Sequence, residues 1–175
     1  MNQKKSDSTP VTIRSTTWSD LPAVMQAYEY ARALMRAQGN TTQWTNGYPS
    51  EALIRSEIDA CHSFVCTDRK GELLGTFCFI TGEDPTYVHI YEGAWLNDEP
   101  YGVVHRLATN GKQPGIGKAC LDWCAARCQN LRIDTHQDNL LMQHLLEKQG
   151  FKRCGTIYVA DGTPRIAYQR RNSSH

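Results

Sequence analysis

The sequence predicts one α/β domain in which a mixed central sheet of about seven strands packs against about four helices. A length of 175 residues lies in the usual range for a single domain. Segments with alternating apolar residues and segments with a 3.6-residue apolar period follow one another along the chain, and neither a repeat nor a low-complexity linker divides them. We therefore assign residues 11–171 to one domain, with flexible tails at residues 1–10 and 172–175.

The first half of the chain combines helical and strand patterns. Alternation at Val11 and Ile13 indicates a strand. Ser19 or Asp20 is suited to cap a following helix that carries apolar residues at spacings of three and four, and Ser50 is suited to cap a second. The elements predicted here are a strand near residues 11–13, helices over residues 19–38 and from residue 51, and strands over residues 63–67, 73–81 and 86–92.

The second half alternates strands and helices around one glycine-rich turn. The strand YGVVHRLAT leads through NGKQPGIG into a helix, and LRIDT is followed by a helix that Gly150 ends. The pair Asp161-Gly162 is typical of a tight turn between two final strands. The elements predicted here are strands over residues 101–109, 131–135, 151–159 and 165–170, and helices from the glycine turn to about residue 129 and over residues 138–149.

Composition and charge exclude several classes of protein. Hydrophobic residues make up 40% of the chain and charged residues 21%, which is too apolar for a disordered protein. The net charge of +1 argues against a nucleic-acid partner, because neutralising phosphates requires a clustered excess of Lys and Arg. No apolar run approaches the roughly 20 residues that span a bilayer, and the first ten residues lack the apolar core of a secretory signal. We expect neither a membrane nor a nucleic acid as a partner.

The seven cysteines have neither disulfide-framework spacing nor a CxxC pair, so the sequence predicts no metal site. Free thiols suit a reducing compartment, where cysteine acts as a small apolar core residue, and we expect a cytoplasmic protein. Cys120, Cys124 and Cys128 share one helix face, but the outer two lie about 12 Å apart along the axis and therefore too far apart to share one ion. Core packing explains them better.

The turn that contains Gly115 and Gly117 lies where a phosphate group can bind, between a strand and a helix. The first turn of a helix has unpaired N–H groups and a partial positive charge, and glycine lets a bulky diphosphate approach the backbone. Walker A fails because Ala119 stands where Ser or Thr is required. The dinucleotide fingerprint GxGxxG fails because Cys120 replaces its last glycine. The turn fits a third phosphate motif, [RQ]xxGx[GA], in all but its first position.

That third motif belongs to the GNAT-type N-acetyltransferases, which the chain resembles over nearly its whole length. The run VVHRLATNGKQPGIGKACLDWC is similar to the acetyl-CoA segment of this superfamily, and LRIDTHQDNLLMQHLLEKQGF is similar to its next segment. The order of elements also resembles that of the family. The segments IDTH, LLEKQGF and DGTPRIAY look like those of a bacterial subgroup. The resemblance implies a GNAT-like fold in which two central parallel strands splay apart to admit acetyl-CoA as a co-substrate.

The resemblance also implies a set of cofactor-binding residues. The splayed strands would be residues 103–109 and 132–135, with the first of them pairing with the pantetheine arm like an added strand. Lys112 replaces the usual Arg or Gln, Pro114 lacks an N–H donor, and Asn139 is equally well explained as a helix-start residue. The implied residues are Leu107, Ala108 and Thr109 for the pantetheine arm, Lys112, Gln113, Gly115, Ile116, Gly117 and Lys118 for the pyrophosphate, and Asn139.

Catalysis of acetyl transfer requires a base for the amine and benefits from an acid for the leaving thiolate. Leu146 stands where many family members have a tyrosine acid, and Tyr158 is a candidate substitute. His105 and Glu92 are the candidate bases, because His105 lies in an otherwise apolar strand and an unperturbed histidine titrates near neutral pH. A structural histidine within the sheet is the alternative. Strand alternation predicts that Arg106 points to the opposite face.

The acceptor side is marked by aromatic residues. Gln43, Trp44 and Tyr48 lie between the first two helices, a region that lines the acceptor pocket in the family, and Trp95 is suited to cover the cleft from the other side. Packing of helices onto the sheet is the alternative for Trp44 and Tyr48. The resemblance implies an enzyme, a monomer or homodimer, that moves an acetyl group from acetyl-CoA to the primary amine of a small molecule by direct transfer in a ternary complex. The alternatives are a peptide or protein acceptor, a non-catalytic acyl-CoA sensor, and a purely structural α/β domain.

Overall fold

Seven strands form one mixed sheet in the computed structural model, which describes residues 9–172. The strands are β1 (Thr12–Ser15), β2 (Ser63–Thr67), β3 (Leu73–Thr81), β4 (Gly102–Thr109), β5 (Asn130–Thr135), β6 (Lys152–Tyr158) and β7 (Pro164–Arg171). The helices are α1 (Leu21–Ala37), α2 (Glu51–Asp59), α3 (Ile116–Arg127) and α4 (Leu140–Lys148). The strand order is β1-β2-β3-β4-β5-β7-β6, which confirms the predicted mixed sheet. Of the predicted tails, residues 1–8 and 173–175 lie outside the described residues.

The predicted strand over residues 86–92 is wrong. A short 3-10 turn, Pro85–Tyr87, begins there, and the only pairing of this segment is an isolated bridge between Tyr91 and Thr156. The side chain of Asp84 caps the turn by accepting a hydrogen bond from the backbone N–H of Thr86 at 2.9 Å. An acidic cap followed by proline favours a helical turn more strongly than the alternating apolar pattern favours a strand.

The parallel pair β4–β5 holds together only at its start. Two residue pairs are in register, Gly102 with Leu131 and Val103 with Arg132, whereas β4 continues to Thr109. Beyond Val103 the two strands separate toward their carboxyl ends. The edge of β4 that faces β5 is therefore left without a strand partner, and a cleft opens between the two strands.

The core lies in two main layers on the two faces of the sheet. One cluster packs α3 and α4 against the sheet and contains Phe77, Leu121 and Leu146, all fully buried. The other packs α1 and α2 against the opposite face through Val24 and Ile54. Cys120 and Cys124 are fully buried in the first cluster and Cys128 packs at its edge, as the packing interpretation predicts. Within residues 9–172, no helix is long and apolar enough to cross a membrane.

The start of α1 is held by an ion pair that makes stability depend on pH. Asp20 accepts hydrogen bonds from Arg14 at 2.7 and 2.9 Å and from the backbone N–H of Thr17 at 2.7 Å. The Arg14 guanidinium lowers the pKa of Asp20 from 3.8 to about 2. A carboxyl whose pKa is lower in the folded state stabilises the protein above its unfolded pKa and loses that contribution as the pH falls toward its folded pKa.

We expect Asp20→Ala to lower the free energy of unfolding by about 1 kcal/mol at pH 7, because it removes the acceptor of the Thr17 N–H together with the ion pair to Arg14. The difference from the wild type should be constant above pH 5 and shrink between pH 4 and pH 2. Urea unfolding at several pH values measures it, and Asp20→Asn serves as the control that removes only the charge. A difference that is unchanged at pH 3 would contradict this account.

Candidate functional site

Two cavities open beside the carboxyl half of β4. The large cavity has a volume of about 690 Å³ and lies between β4, α1, the start of α3 and one side of α4. The small cavity has a volume of about 470 Å³ and lies under the loop that joins α1 to α2. Both volumes are typical of small-ligand sites. The two cavities meet, because Met35, Leu107, Asn139 and Met142 line both of them.

Most of the residues predicted to bind the cofactor face the large cavity. Three of the ten do not line it. Lys112 is exposed, Gln113 donates to the backbone carbonyl of Thr9 at 3.2 Å, and Ile116 is buried in the core. The predicted residues that line the large cavity are Leu107, Ala108, Thr109, Gly115, Gly117, Lys118 and Asn139.

The start of α3 presents an open helix N-terminus to the large cavity. Gly115 is the N-cap, with a left-handed φ of 80°, and it makes no side-chain capping bond. A Cβ atom at Gly115 would meet no atom within 4 Å, so the space beside this residue is open. Lys118 adds a positive charge next to this turn, although its Nζ pairs with Asp122 at 2.5 Å. Such a helix start can hold an anion.

His105, which lines the small cavity, forms a hydrogen-bonded pair with a carboxylate. His105 Nε2 lies 2.8 Å from Asp84 Oδ2, and this hydrogen bond lowers the pKa of Asp84. An ionised carboxylate only accepts hydrogen bonds, so Nε2 carries the proton and donates it to Asp84. In the neutral imidazole Nδ1 is then the nitrogen with a free lone pair, and among residues 9–172 it has no hydrogen-bond partner. The pair is therefore arranged to accept a proton at Nδ1.

A second carboxylate faces the same cavity from β5. Asp134 Oδ1 accepts a hydrogen bond from the hydroxyl of Tyr87 at 2.5 Å, and Asp134 lines the small cavity. Burial raises the pKa of Asp134, whereas the bond from Tyr87 opposes that rise. The rings of Tyr87 and His105 are 6.1 Å apart between centroids. The Tyr87–Asp134 pair and the His105–Asp84 pair therefore form one polar cluster.

A bulge in β4 gives Arg106 an orientation different from the one that strand alternation predicts. Thr76 pairs with Ala108 and Cys78 with His105, so that one extra residue is accommodated in β4, and Arg106 has a left-handed φ of 51°. The bulge breaks the alternation, because an inserted residue shifts the following side chains. His105 and Arg106 both line the small cavity. The prediction that Arg106 points to the opposite face is wrong.

Arg106 connects the loop before α2 to the sheet. It forms an ion pair with Glu57 of α2 and donates to the hydroxyl of Tyr48 at 2.9 Å. Tyr48 lines the small cavity and is 38% exposed. The positive charge of Arg106 is therefore already balanced by a carboxylate.

Gln43 and Trp44, in the same loop before α2, also line the small cavity. Both contact neighbouring side chains as well. Trp44 packs edge-on against Tyr28, with centroids 5.5 Å apart. Gln43 Oε1 accepts from Asn139 Nδ2 at 3.2 Å, while Asn139 Oδ1 caps α4 by accepting from the Met142 N–H at 3.1 Å. Asn139 thus has its helix-start role and faces both cavities as well.

Three residues singled out from the sequence lie outside both cavities. Trp95 donates to the backbone carbonyl of Tyr87 at 2.9 Å and supports that residue from behind. Tyr158 is 47% exposed on β6 and packs against Tyr91. Glu92 accepts a hydrogen bond from Thr156 at 3.3 Å on the outer part of the sheet. The structure therefore brings His105 to the small cavity but not Glu92 or Tyr158.

The sequence reading did not single out Asp84, Tyr87 or Asp134. Asp134 carried a signal of the same kind as His105, because it is one ionisable residue in a largely apolar strand, LRIDT. Asp84 and Tyr87 carried none, since their role depends on contacts with residues 21 and 47 positions away.

Comparisons with known proteins agree on one family. The family model described as "Acetyltransferase (GNAT) family" matches residues 27–151. The structure of a GNAT family acetyltransferase from Streptococcus agalactiae is 31% identical, with a TM-score of 0.84, and the alignment covers 94% of this chain and 96% of that chain. A GNAT family acetyltransferase from Listeria monocytogenes is 16% identical, with a TM-score of 0.68 and coverage of 93% and 95%.

A more distant structure has the same fold with ligands bound. The NatC complex bound to Gag peptide and CoA contains a chain that is 14% identical, with a TM-score of 0.56 and coverage of 93% of this chain and 99% of that chain. At this identity the likeness concerns the fold alone. No curated protein matches the sequence significantly.

Proposed function

Because the chain belongs to the GNAT acetyltransferase family, we propose that it transfers an acetyl group from acetyl-CoA to the primary amine of a small molecule. The observation that carries this proposal is the junction of the two cavities at Leu107 and Asn139. A cofactor in one cavity and an acceptor in the other would place their reacting ends side by side, which is the requirement for direct transfer.

In this proposal acetyl-CoA occupies the large cavity. The free edge of β4 after Val103 offers backbone donors and acceptors to the pantetheine arm, which then pairs with it like an added strand. The pyrophosphate lies at the start of α3, where Gly115 leaves open space and the unpaired N–H groups carry partial positive charge. The family generally uses acetyl-CoA, and this site has the two features that such a cofactor requires.

The acceptor amine occupies the small cavity, and His105 removes its proton. An alkyl ammonium has a pKa near 10, so a base is needed to generate the attacking amine at neutral pH. His105 Nδ1 accepts the proton, directly or through one water molecule, and the Asp84 carboxylate stabilises the imidazolium that forms. The amine attacks the thioester carbonyl, and backbone N–H groups on the free edge of β4 are available to the oxyanion.

The leaving thiolate departs without a tyrosine acid in this proposal. Leu146 occupies the position of the family tyrosine and is fully buried in the core, where it donates nothing. A thiol with a pKa near 8.5 is a good enough leaving group that its protonation is helpful rather than essential. Transfer therefore depends more on the base and on positioning than on an acid.

Two measurements on the wild-type protein test this function. Isothermal titration with acetyl-CoA should give a dissociation constant between micromolar and millimolar, and release of CoA thiol should rise when small amines are added. A parallel panel of short peptides separates the two acceptor classes. Turnover with peptides alone would replace the small-molecule acceptor by a peptide. Binding without CoA release by any acceptor would indicate a sensor, and the absence of binding would contradict the proposal altogether.

A further inference from the structure

We propose that the acceptor is an amine that also carries an anionic group, as an amino acid does, with Arg165 binding the anion and Asp134 binding the ammonium. This inference rests on the proposed function for its meaning, because it names the class of molecule that the small cavity receives. The charged residues that line the small cavity are the observations that support it.

Arg165 is the charged group that the small cavity leaves without a counterion. Its NH1 donates to Thr163 Oγ1 at 3.0 Å and to the backbone carbonyl of Pro164 at 2.9 Å. Among residues 9–172, no carboxylate lies within 4.0 Å of its guanidinium nitrogens. The NH2 and Nε groups remain available at the wall of the cavity, and a guanidinium presents such donors in a geometry that suits a carboxylate.

The other basic groups of the cavity already have carboxylate partners. Arg106 is bound to Glu57, and His105 is bound to Asp84. Neither offers an unbalanced positive charge to a ligand. An anionic group entering the small cavity therefore finds its counterion at Arg165.

Asp134 supplies the opposite charge on the same wall of the small cavity. Asp134 pairs with Ala167 across β5 and β7, and Arg165 precedes Ala167 by two residues, on the same face of the sheet. The Cα atoms of such diagonal neighbours lie about 7–8 Å apart. The two side chains line the same cavity without forming an ion pair of 4.0 Å or less. A ligand that carries both charges would meet a counterion at each end of this wall of the cavity.

The position of Asp134 also suits the reaction. Tyr87 occupies only Oδ1 of Asp134, which leaves Oδ2 for an ammonium group. His105 lies in the same polar cluster, so that an ammonium held by Asp134 is close to the base that removes its proton. Arg165 then selects the acceptor and Asp134 orients the amine.

A third carboxylate makes a diamine the competing ligand class. Asp161 lines the rim of the small cavity and is exposed, and two carboxylates could hold the two ends of a diamine. Its Oδ1, however, accepts from the N–H of Thr163 at 2.9 Å and from its hydroxyl at 2.5 Å, so that it stabilises the turn before β7. Arg165 beside it disfavours a second ammonium.

The test compares acids with their neutral counterparts. Common L-amino acids, β-alanine, the corresponding amides and a set of diamines are titrated calorimetrically into the wild type and into Arg165→Gln, Asp134→Asn and Arg153→Gln. Arg153 is an exposed arginine on β6 that lines neither cavity, so it is the matched control. Values of kcat/KM for CoA release are measured on the same set.

We expect the wild type to prefer at least one acid over its amide by about 10- to 100-fold, which is the effect of one charge-assisted pair. Arg165→Gln should lose most of that preference, Asp134→Asn should weaken the acid and its amide alike, and Arg153→Gln should change neither. Equal affinity for acids and amides, tighter binding of diamines, binding of no tested acid, or a preference that survives Arg165→Gln would overturn the inference. If Arg165-dependent binding is found but no CoA is released, the inference stands and the proposed function fails.

Discussion

Replacement of His105 by alanine is expected to lower the turnover number by about 10²- to 10⁴-fold, the usual contribution of a general base. The affinity for acetyl-CoA should change less than about twofold, because His105 lines only the small cavity. Turnover is measured with a saturating amine by CoA release, and affinity by calorimetry. His89→Ala is the control, since His89 is exposed and lines neither cavity.

The partner of His105 provides the second half of this test. Asp84→Asn keeps the size of the side chain but removes the charge that fixes the proton on Nε2, so that turnover should fall as well. If His105→Ala folds normally and retains wild-type turnover, His105 is a structural residue of the sheet and Asp134 becomes the base to examine. Loss of acetyl-CoA affinity in the same variant would contradict the separation of the two cavities.

Replacement of Gly117 by valine is expected to weaken acetyl-CoA binding at least about tenfold, a change of about 1.4 kcal/mol. A Cβ atom at Gly117 would lie 2.8 Å from Leu145 Cδ2, so that either the new side chain or the displaced leucine enters the large cavity beside the proposed pyrophosphate site. Turnover at saturating acetyl-CoA should change little by comparison. Calorimetry and the KM for acetyl-CoA give the two numbers.

Two further variants separate a steric effect from a loss of helix stability. Ala119→Val adds a β-branched residue to the same turn of α3 outside both cavities and should bind acetyl-CoA as the wild type does. Leu145→Ala combined with Gly117→Val removes the clash and should recover part of the affinity. Wild-type affinity of Gly117→Val would argue that no ligand lies against the start of α3.

The parts of the fold that could be predicted are those determined by local sequence. The two strand–helix units around the glycine turn carry strong apolar periods and clear caps, and the open start of α3 follows from Gly115 and Gly117. The strand predicted over residues 86–92 does not form for an equally local reason, because the Asp84-Pro85 start favours a turn more strongly than the alternating pattern favours a strand. Glycine positions and caps therefore carried more information here than apolar alternation did.

The candidate site could be predicted only in part, because its charges meet through tertiary contacts. His105 stands out as a polar residue in an apolar strand, but its partner Asp84 is recognisable only once the turn has folded against β4. Arg106 was assigned to the wrong face, since a bulge breaks alternation and the sequence shows no glycine to mark it. Glu92 ends the predicted strand over residues 86–92, which does not form, and Tyr158 lies on β6 at the edge of the sheet, so neither residue reaches the small cavity.

A crystal structure of the protein with CoA bound tests the central claim most directly. We predict that the pyrophosphate contacts the backbone between Gly115 and Lys118, that the pantetheine arm pairs with the free edge of β4, and that the sulfur lies between Leu107 and Asn139, where the two cavities meet. CoA bound elsewhere, or a sulfur that points away from the small cavity and His105, would contradict the account.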